Sequence, residues 1–406
     1  MVELTTAWAG PMAGRVLAHF GATSFHVESP TRTNTWRSNR DAPNPRNYPD
    51  FEPGERPFDR CFTFNSQNVN KRSLVLDLKT DDGKALIHGL LAEADVLLCN
   101  FRPGMLDRLG LGYDALAAVN PGIIVLEMPA YGLTGPESGY AALGPTMEMA
   151  AGMSAMIAYP GGTPTVTGPS YMDPIGGFNA AAAVLTALHA RERDGAGQHI
   201  EIGQVEAAMQ FIGPALMAGE DIAPDGNHVP HMAPHNAYPT RGEGEWIAIA
   251  VEDDAAWRTL AEVMGAPALA TDPRFATLAA RKTNEAALDA LVAEFTRAAD
   301  RHALAARLQA AGVAASAVET ACDLAASDYL AARGFFTALT HREAGTHPHP
   351  GLPFHSESAA GSARTAAPAY GEANREVAAS VLGDDDERFA RLCAAGVMAD
   401  VPARGV

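Results

Sequence analysis

From residue 2 to residue 128 the chain alternates short apolar runs with helical ones, and no other feature restricts its fold as far. Val2–Leu4 reads as the end of a strand, Thr5–Gly10 as a loop, Pro11 to Phe20 as a helix and Thr23–Glu28 as a second strand. Pro suits a first helical position because its missing N–H would have no partner there. Leu74, Leu76 and Leu78 alternate with non-core residues, which is the period of a strand. A helix over 81–94, strand Val96–Cys99, a turn at Arg102-Pro103-Gly104, helix Tyr113–Val119 and strand Ile123–Met128 follow. Strands alternating with helices pack as a parallel sheet wound on both faces, so the expected class is α/β. The first turn, Ala9-Gly10-Pro11-Met12-Ala13-Gly14, is not GxGxxG. NAD is therefore disfavoured, although Glu28 stands where a dinucleotide fold places its ribose-binding acid.

At 406 residues the chain is too long for one core, so two domains are expected. Residues 1–212 form the first part of a large domain, and 213–238, rich in Pro, Gly and His, read as a linker. A smaller α+β domain over 239–325 contains strand Trp246–Val251, helix Asp253–Met264 and Ala-rich helices near 284–298 and 301–311 at amphipathic spacing. A second linker over 326–355 returns the chain to the large domain, which 356–406 completes. The Pro- and Asn-rich stretch from Ser29 to about Glu55 is a long excursion, a feature that in compact domains is often functional.

The formal net charge is −18 and no basic block interrupts it, which excludes nucleic acid as a natural partner. An anionic ligand would need a few local Lys and Arg residues together with helix N-termini. Cys61, Cys99, Cys322 and Cys393 lie far apart without a CxxC pair, as in a reducing cytosol. No apolar run approaches the roughly 18 residues of a membrane span, and Met-Val-Glu-Leu-Thr-Thr lacks the regions of a signal peptide. A cytoplasmic protein without membrane contact is the expectation.

Asp173 is the residue with unusual surroundings. It precedes Pro174 and an Ala-rich run to about Arg191, so it reads as the N-cap of a helix. Gly176 and Gly177 then fall in the first turn, where each costs roughly 1 kcal/mol relative to Ala and marks a closely approached backbone. A carboxylate at a positive helix end stays ionised and could act as a nucleophile, but capping is the commoner role of such an Asp. His228, His231 and His235 are interleaved with Pro230 and Pro234 and have no Cys nearby; they read as loop histidines rather than zinc ligands, as do His341, His347, His349 and His355. Lys71, Arg72 and Lys79 flank a strand and read as its solvated ends or as phosphate ligands. Asn100-Phe101-Arg102-Pro103-Gly104 follows a buried strand at its carboxyl end, where open α/β sheets bind ligands. GxSxG is absent, which sets serine hydrolases aside, and Asp81-Asp82 and Asp253-Asp254 stand at helix starts as caps.

Five stretches together resemble a known family. They are Thr6-Ala-Trp-Ala-Gly-Pro-Met, Asn70-Lys-Arg-Ser-Leu-Val-Leu-Asp-Leu-Lys79, Ala94-Asp-Val-Leu-Leu-Cys-Asn-Phe-Arg-Pro-Gly-Met-Leu-Asp-Arg108-Leu-Gly, Asn120-Pro-Gly-Ile-Ile with Tyr131-Gly, and the Asp173 stretch with Gly195-Ala-Gly-Gln198. The chain is similar in these to the class III CoA-transferases, which include formyl-CoA transferase, carnitine CoA-transferase and α-methylacyl-CoA racemase, and the likeness covers nearly the whole chain. The resemblance implies a homodimer of two interlocked rings. In each chain both termini would build a Rossmann-like large domain with a doubly wound parallel sheet, and long linkers would join it to the small domain.

The resemblance also implies coenzyme A or acyl-CoA as substrate, a carboxylic acid as acceptor and no metal. Asp173 falls on the family's nucleophilic aspartate, with covalent aspartyl intermediates and the Gly176-Gly177 backbone as an oxyanion hole. Thr6, Ala9, Leu76, Lys79, Asn100, Phe101 and Arg108 fall on CoA-lining positions. Departures from formyl-CoA transferase are Ser29 for an adenine-side Arg, Trp8 for a catalytic-loop Gln, Pro129 for a CoA-contacting Lys, and the missing glycine-rich lid of the small domain. They argue against formyl-CoA and oxalate and leave both acids open. The racemase alternative needs a base on each face of the α-carbon, yet Ser138-Gly139-Tyr140-Ala141-Ala142 has no His where that branch carries Gly-His-Asp, and Tyr is a poor base at neutral pH. A non-catalytic acyl-CoA-binding paralogue would be expected to lack the nucleophile.

Overall fold

In the computed structural model, which describes residues 1–219, 224–355 and 361–403, the chain splits into two compact units. The larger comprises Met1–Ala155, Val166–Ile222 and Tyr329–Val406, the smaller Met156–Thr165 and Ala223–Asp328. The larger unit is built on six parallel strands: β1 (Val2–Leu4), β2 (Ser24–Glu28), β3 (Lys71–Val75), β4 (Val96–Cys99), β5 (Ile124–Glu127) and β6 (Gln198–Glu201). Their order is β3-β2-β1-β4-β5-β6, so the winding reverses between β1 and β4. Val2 pairs with Phe25 on one side and with Leu97 on the other.

Both faces of this sheet are covered, which is why β4 and β5 read as nearly unbroken apolar runs. Period two sends Leu97 and Cys99 of β4 to one core and Val96 and Leu98 to the other. The first core is closed by the Asp81–Ala92 helix and by two late helices, Asn374–Leu382 and Asp386–Ala394. The second is closed by α1 (Ala9–His19) and the long helix Met172–Asp194. None of the four cysteines forms a disulfide, and among the described residues no helix is long and apolar enough to cross a membrane.

Strand β3 differs from its sequence reading. It runs from Lys71 to Val75, and Leu76 lies beyond it, donating its N–H to Glu28 O at 2.9 Å with its side chain in the core. The strand includes Lys71 because that side chain is buried in an ion pair, which a hydrophobic period does not register. Lys71 Nζ lies 2.8 Å from Glu3 Oε2 in the middle of the sheet and donates to Pro11 O at 2.8 Å. Ser24 Oγ donates to the other Glu3 oxygen, and His26 Nδ1 is 3.8 Å away.

Glu28 is likewise committed inside the protein. Arg37, from the excursion after β2, donates to its two oxygens at 2.7 and 2.8 Å and to Asp59 at 3.1 Å. Glu28 is therefore a structural acid and not a ribose ligand.

The smaller unit packs a three-stranded antiparallel sheet, β7 (His235–Pro239), β8 (Trp246–Ala250) and β9 (Ala314–Ala317), around Trp257, Phe275, Leu288 and Leu308. Strand β7 begins inside the stretch 213–238 read as a linker, part of which lies outside the described residues, and ends one residue past it. The stretch 326–355 carries an antiparallel hairpin, β10 (Phe336–His341) with β11 (Gly345–Pro350), whose Pro and His content hid it from a propensity reading.

Removing one member of a buried ion pair leaves an uncompensated charge. Lys71→Met should lower unfolding stability by about 3–5 kcal/mol in urea titrations at pH 7. Burial works against the charge of Glu3, but Lys71 and His26 hold its carboxyl down from 4.5 to about 2. Its contribution is complete above about pH 4.5 and should be lost as pH falls toward 2, a dependence that Glu3→Gln removes.

Candidate active site

Six parallel strands deliver their carboxyl ends to one edge, and the reversal between β1 and β4 opens a crevice there. Thr6 follows β1 and Asn100 follows β4, and the two close on each other. Thr6 N–H donates to Asn100 Oδ1 and Asn100 Nδ2 donates to Thr6 O, both at 2.9 Å. Asn34, from the excursion, holds the next residues: its Oδ1 accepts from Ala7 N–H at 3.3 Å and Trp36 N–H at 3.0 Å. Its Nδ2 meets His26 Nε2 at 3.2 Å. Ala7 sits at φ 57°, in the left-handed region where a side chain is strained, and the two asparagines keep it there.

This bend presents the N–H of Ala9, first residue of α1, to the carboxylate of Asp173. The long helix begins at Met172, so Asp173 lies inside its first turn and makes no cap bond; its N–H donates to Ser170 O at 3.0 Å. The N-cap position falls instead on Tyr171, two residues earlier, and the carboxylate is left without a structural duty in its own helix. Burial pushes the Asp173 carboxyl up from 3.8 to about 6, while the N–H groups of Ala9 and of Asp173 itself act the other way. Desolvation outweighs the local N–H groups.

Two glycine positions define the walls. A Cβ on Gly144, first residue of the Gly144–Ala150 helix, would collide with Asp173 Oδ2 and with Ser170. Gly177 lets α1 approach the long helix, since a Cβ there would meet Ala9 O and Met12; Gly176 is filled in the same way by Gln204. The close approach signalled by Gly176-Gly177 is therefore made by the protein's own side chains and backbone.

Of the residues singled out in the sequence, Thr6 and Asn100 bond to each other, and the Ala9 N–H acts on the Asp173 carboxyl. Phe101 is half-buried against the core beside Asn100, and the Leu76 side chain is wholly inside it. Lys79 and Arg108 follow β3 and β4 on the same edge, exposed, with no ion pair among the described residues; Arg102 is a further exposed cation there. Trp8 packs on Trp36 with ring centroids 5.5 Å apart, and its buried Nε1 has no partner among the described residues.

Asn34, Gly144 and Glu148 were not among the residues picked out. Glu148 is fully buried and accepts from Thr167 N–H and Oγ1, both at 2.9 Å, which ties down the segment leading to Ser170 and Asp173. The Gly144-Pro145 pair was a helix-start signal that could have drawn attention to this wall. Among the described residues one trio of potential metal ligands gathers, His302, Glu319 and Asp323, and Asp323 is already bonded to Thr320 and Arg301. His228, His231 and His235 do not join it.

The geometry is accompanied by clear kinship. The family model described as CoA-transferase family III matches residues 1–374. Succinyl-CoA–D-citramalate CoA-transferase from Chloroflexus aurantiacus is 33% identical over 403 residues, 98% of this chain and 96% of that protein. Acetyl-CoA:oxalate CoA-transferase from Acetobacter aceti is 33% identical over 295 residues, 71% of this chain and 72% of that protein. A solved CaiB/BaiF family protein from Brucella suis matches with a TM-score of 0.83 at 30% identity, covering 94% of this chain and 97% of that one. With its six-stranded parallel sheet flanked by helices, the chain belongs to CoA-transferase family III and is an enzyme of CoA thioesters.

Proposed function

We propose that the protein moves CoA from a donor acyl-CoA to an acceptor carboxylic acid through covalent intermediates on Asp173. The carboxylate attacks the donor thioester, forming a mixed anhydride and releasing CoA thiolate. The thiolate attacks the aspartyl carbonyl, giving an aspartyl-CoA thioester and the free donor acid. The acceptor carboxylate then attacks that thioester to form a second anhydride with release of thiolate. Attack of the thiolate on the acceptor carbonyl yields the new acyl-CoA and restores Asp173. One observation carries this reading: Asp173 is a half-buried carboxylate with no cap bond, walled by Gly144, with its carboxyl raised to about 6 by burial. A more basic carboxylate is a better nucleophile and is still mostly ionised at pH 7.

Thr6, Ala9, Asn100 and Phe101 line the CoA end of this site, Leu76 backs it from the core, and Lys79 and Arg108 meet the phosphates. The named relatives act on succinyl-CoA with D-citramalate and on acetyl-CoA with oxalate, which supports small carboxylic acids as donor and acceptor. The assembly is a homodimer of interlocked rings, working in the cytoplasm without a metal.

Asp173→Asn separates nucleophile from structural residue. Turnover should fall by several orders of magnitude, because an amide cannot form the anhydride. Folding raises this carboxyl, so its charge costs stability at neutral pH and that cost vanishes below about pH 4. The variant should therefore melt no lower than wild type and gain up to about 2–3 kcal/mol. In wild type, kcat/KM should decline about tenfold per unit below pH 6, and hydroxylamine should trap a hydroxamate at Asp173 when donor is supplied without acceptor. Full activity of Asp173→Asn without an adduct would refute the mechanism.

For the CoA end, Lys79→Ala or Arg108→Ala should weaken CoA binding by roughly 10- to 100-fold in calorimetry, the size of a charge-assisted phosphate contact. For assembly, differently tagged folded dimers mixed at low concentration should not exchange subunits within a day, because separating interlocked rings requires unfolding. Mixed dimers or a native monomer peak would contradict that arrangement.

A further inference from the structure

The larger unit contains a cavity of about 540 Å³ that the proposed reaction does not use. Its wall includes Ser24 and Lys71, which begin β2 and β3, so it opens at the amino edge of the sheet. The loops around Asp173 leave from the carboxyl edge, and strands of five residues keep the two edges about 13 Å apart. We propose that this cavity is a second binding site, for a small polyanion carrying phosphate or carboxylate groups, separate from the site of CoA transfer.

The lining is cationic in a chain of net charge −18. Arg72, Arg342 and Arg364 converge on it, against one acid, Glu372. Glu372 accepts the Ala369 N–H at 3.0 Å. Arg364 is fixed by donating to the carbonyls of Ala18 at 2.8 Å and His19 at 3.2 Å, which orient the guanidinium without cancelling its charge. Among the described residues Arg342 has one acid within ion-pair distance, Glu343 at 3.9 Å, and Arg72 pairs with Glu376. Asn70 stiffens the wall, its Oδ1 accepting from the N–H groups of Arg364 and Thr365 at 2.7 and 3.0 Å.

His341 belongs to the same wall. Its Nδ1 accepts from the N–H groups of Glu343 and Ala344, both at 3.1 Å, so the neutral ring carries its proton on Nε2. That nitrogen is buried with no partner among the described residues. His19, behind the wall, is pushed down to about 4, by burial first and then by Arg15, Arg364 and Lys71. Fixed guanidinium groups with low-dielectric walls concentrate anions.

The test is isothermal titration of the full-length protein with inorganic pyrophosphate and, separately, with citrate at low ionic strength. Saturable binding at one site per chain is expected, and whichever probe binds tighter assigns the ligand as phosphate ester or polycarboxylate. Arg342→Ala combined with Arg72→Ala should weaken binding at least tenfold while CoA exchange without probe stays unchanged. Asp173→Asn and Lys79→Ala should bind the probe as wild type does. Absence of saturable binding by either probe, as when a second copy of the chain fills the cavity, overturns the proposal. Loss of binding in Lys79→Ala, with none in the arginine variants, overturns it equally by placing the anion at the other edge.

Discussion

A single buried charge organises the larger unit. Glu3 sits at 0% exposure on the central strand, and its carboxylate is shared between β2, through Ser24 and His26, and β3, through Lys71. Lys71 carries the link onward to the Pro11 carbonyl in α1. His26 passes it to Asn34, and Asn34 fixes the bend at Ala7 that aims Ala9 N–H at Asp173. A buried ion pair is weak evidence for stability, since an apolar pair of equal volume is often as good. What Glu3 supplies here is a defined register between three strands and one helix, and the position of the Asp173 carboxylate inherits that definition.

The site also keeps several local arrangements that are unfavourable alone. Asp173 retains its charge despite desolvation, Ala7 holds a left-handed backbone, and Trp8 leaves an indole N–H unpartnered. Such features cluster where function, rather than folding, has set the geometry. The rest of the edge compensates through satisfied polar side chains: Asn100 is reciprocally bonded to Thr6, and Glu148 accepts twice from Thr167. Rigid support around an uncomfortable centre is what preorganisation of a nucleophile requires.

Strands β1, β2, β4 and β5 were legible to within a residue or two because their sequences are largely apolar or bounded by turns. Asp173 was legible as peculiar from its Pro and Gly neighbours, and its nucleophilic role only from family resemblance. What escaped reading was polar and non-local. Lys71 resembles a solvated strand end until Glu3, 68 residues away, is known to face it. Glu28 looks like a ribose ligand until Arg37 claims it, and Asn34 is one of many polar residues in a long excursion. Residues 156–165, which join the smaller unit, have no pattern that distinguishes them from the loop they interrupt. The meaning of Gly176 and Gly177 was half legible: a close approach was foreseen, but its origin in α1 and Gln204 depends on topology.

The covering of one sheet face by the last helices has a consequence for how the chain is born. Leu86, Leu97 and Val125 pack beneath Val377 and Leu392, so a ribosome must deliver some 250 further residues after β5 before that face is closed. At about 5–20 residues per second this leaves an apolar surface uncovered for tens of seconds. The smaller unit is synthesised within that interval and can complete its own core first, while the sheet that precedes it still waits for its lid. Nascent chains of this topology therefore depend on whatever shields the open face, and truncation near the C-terminus would expose the interior of the domain that was made first.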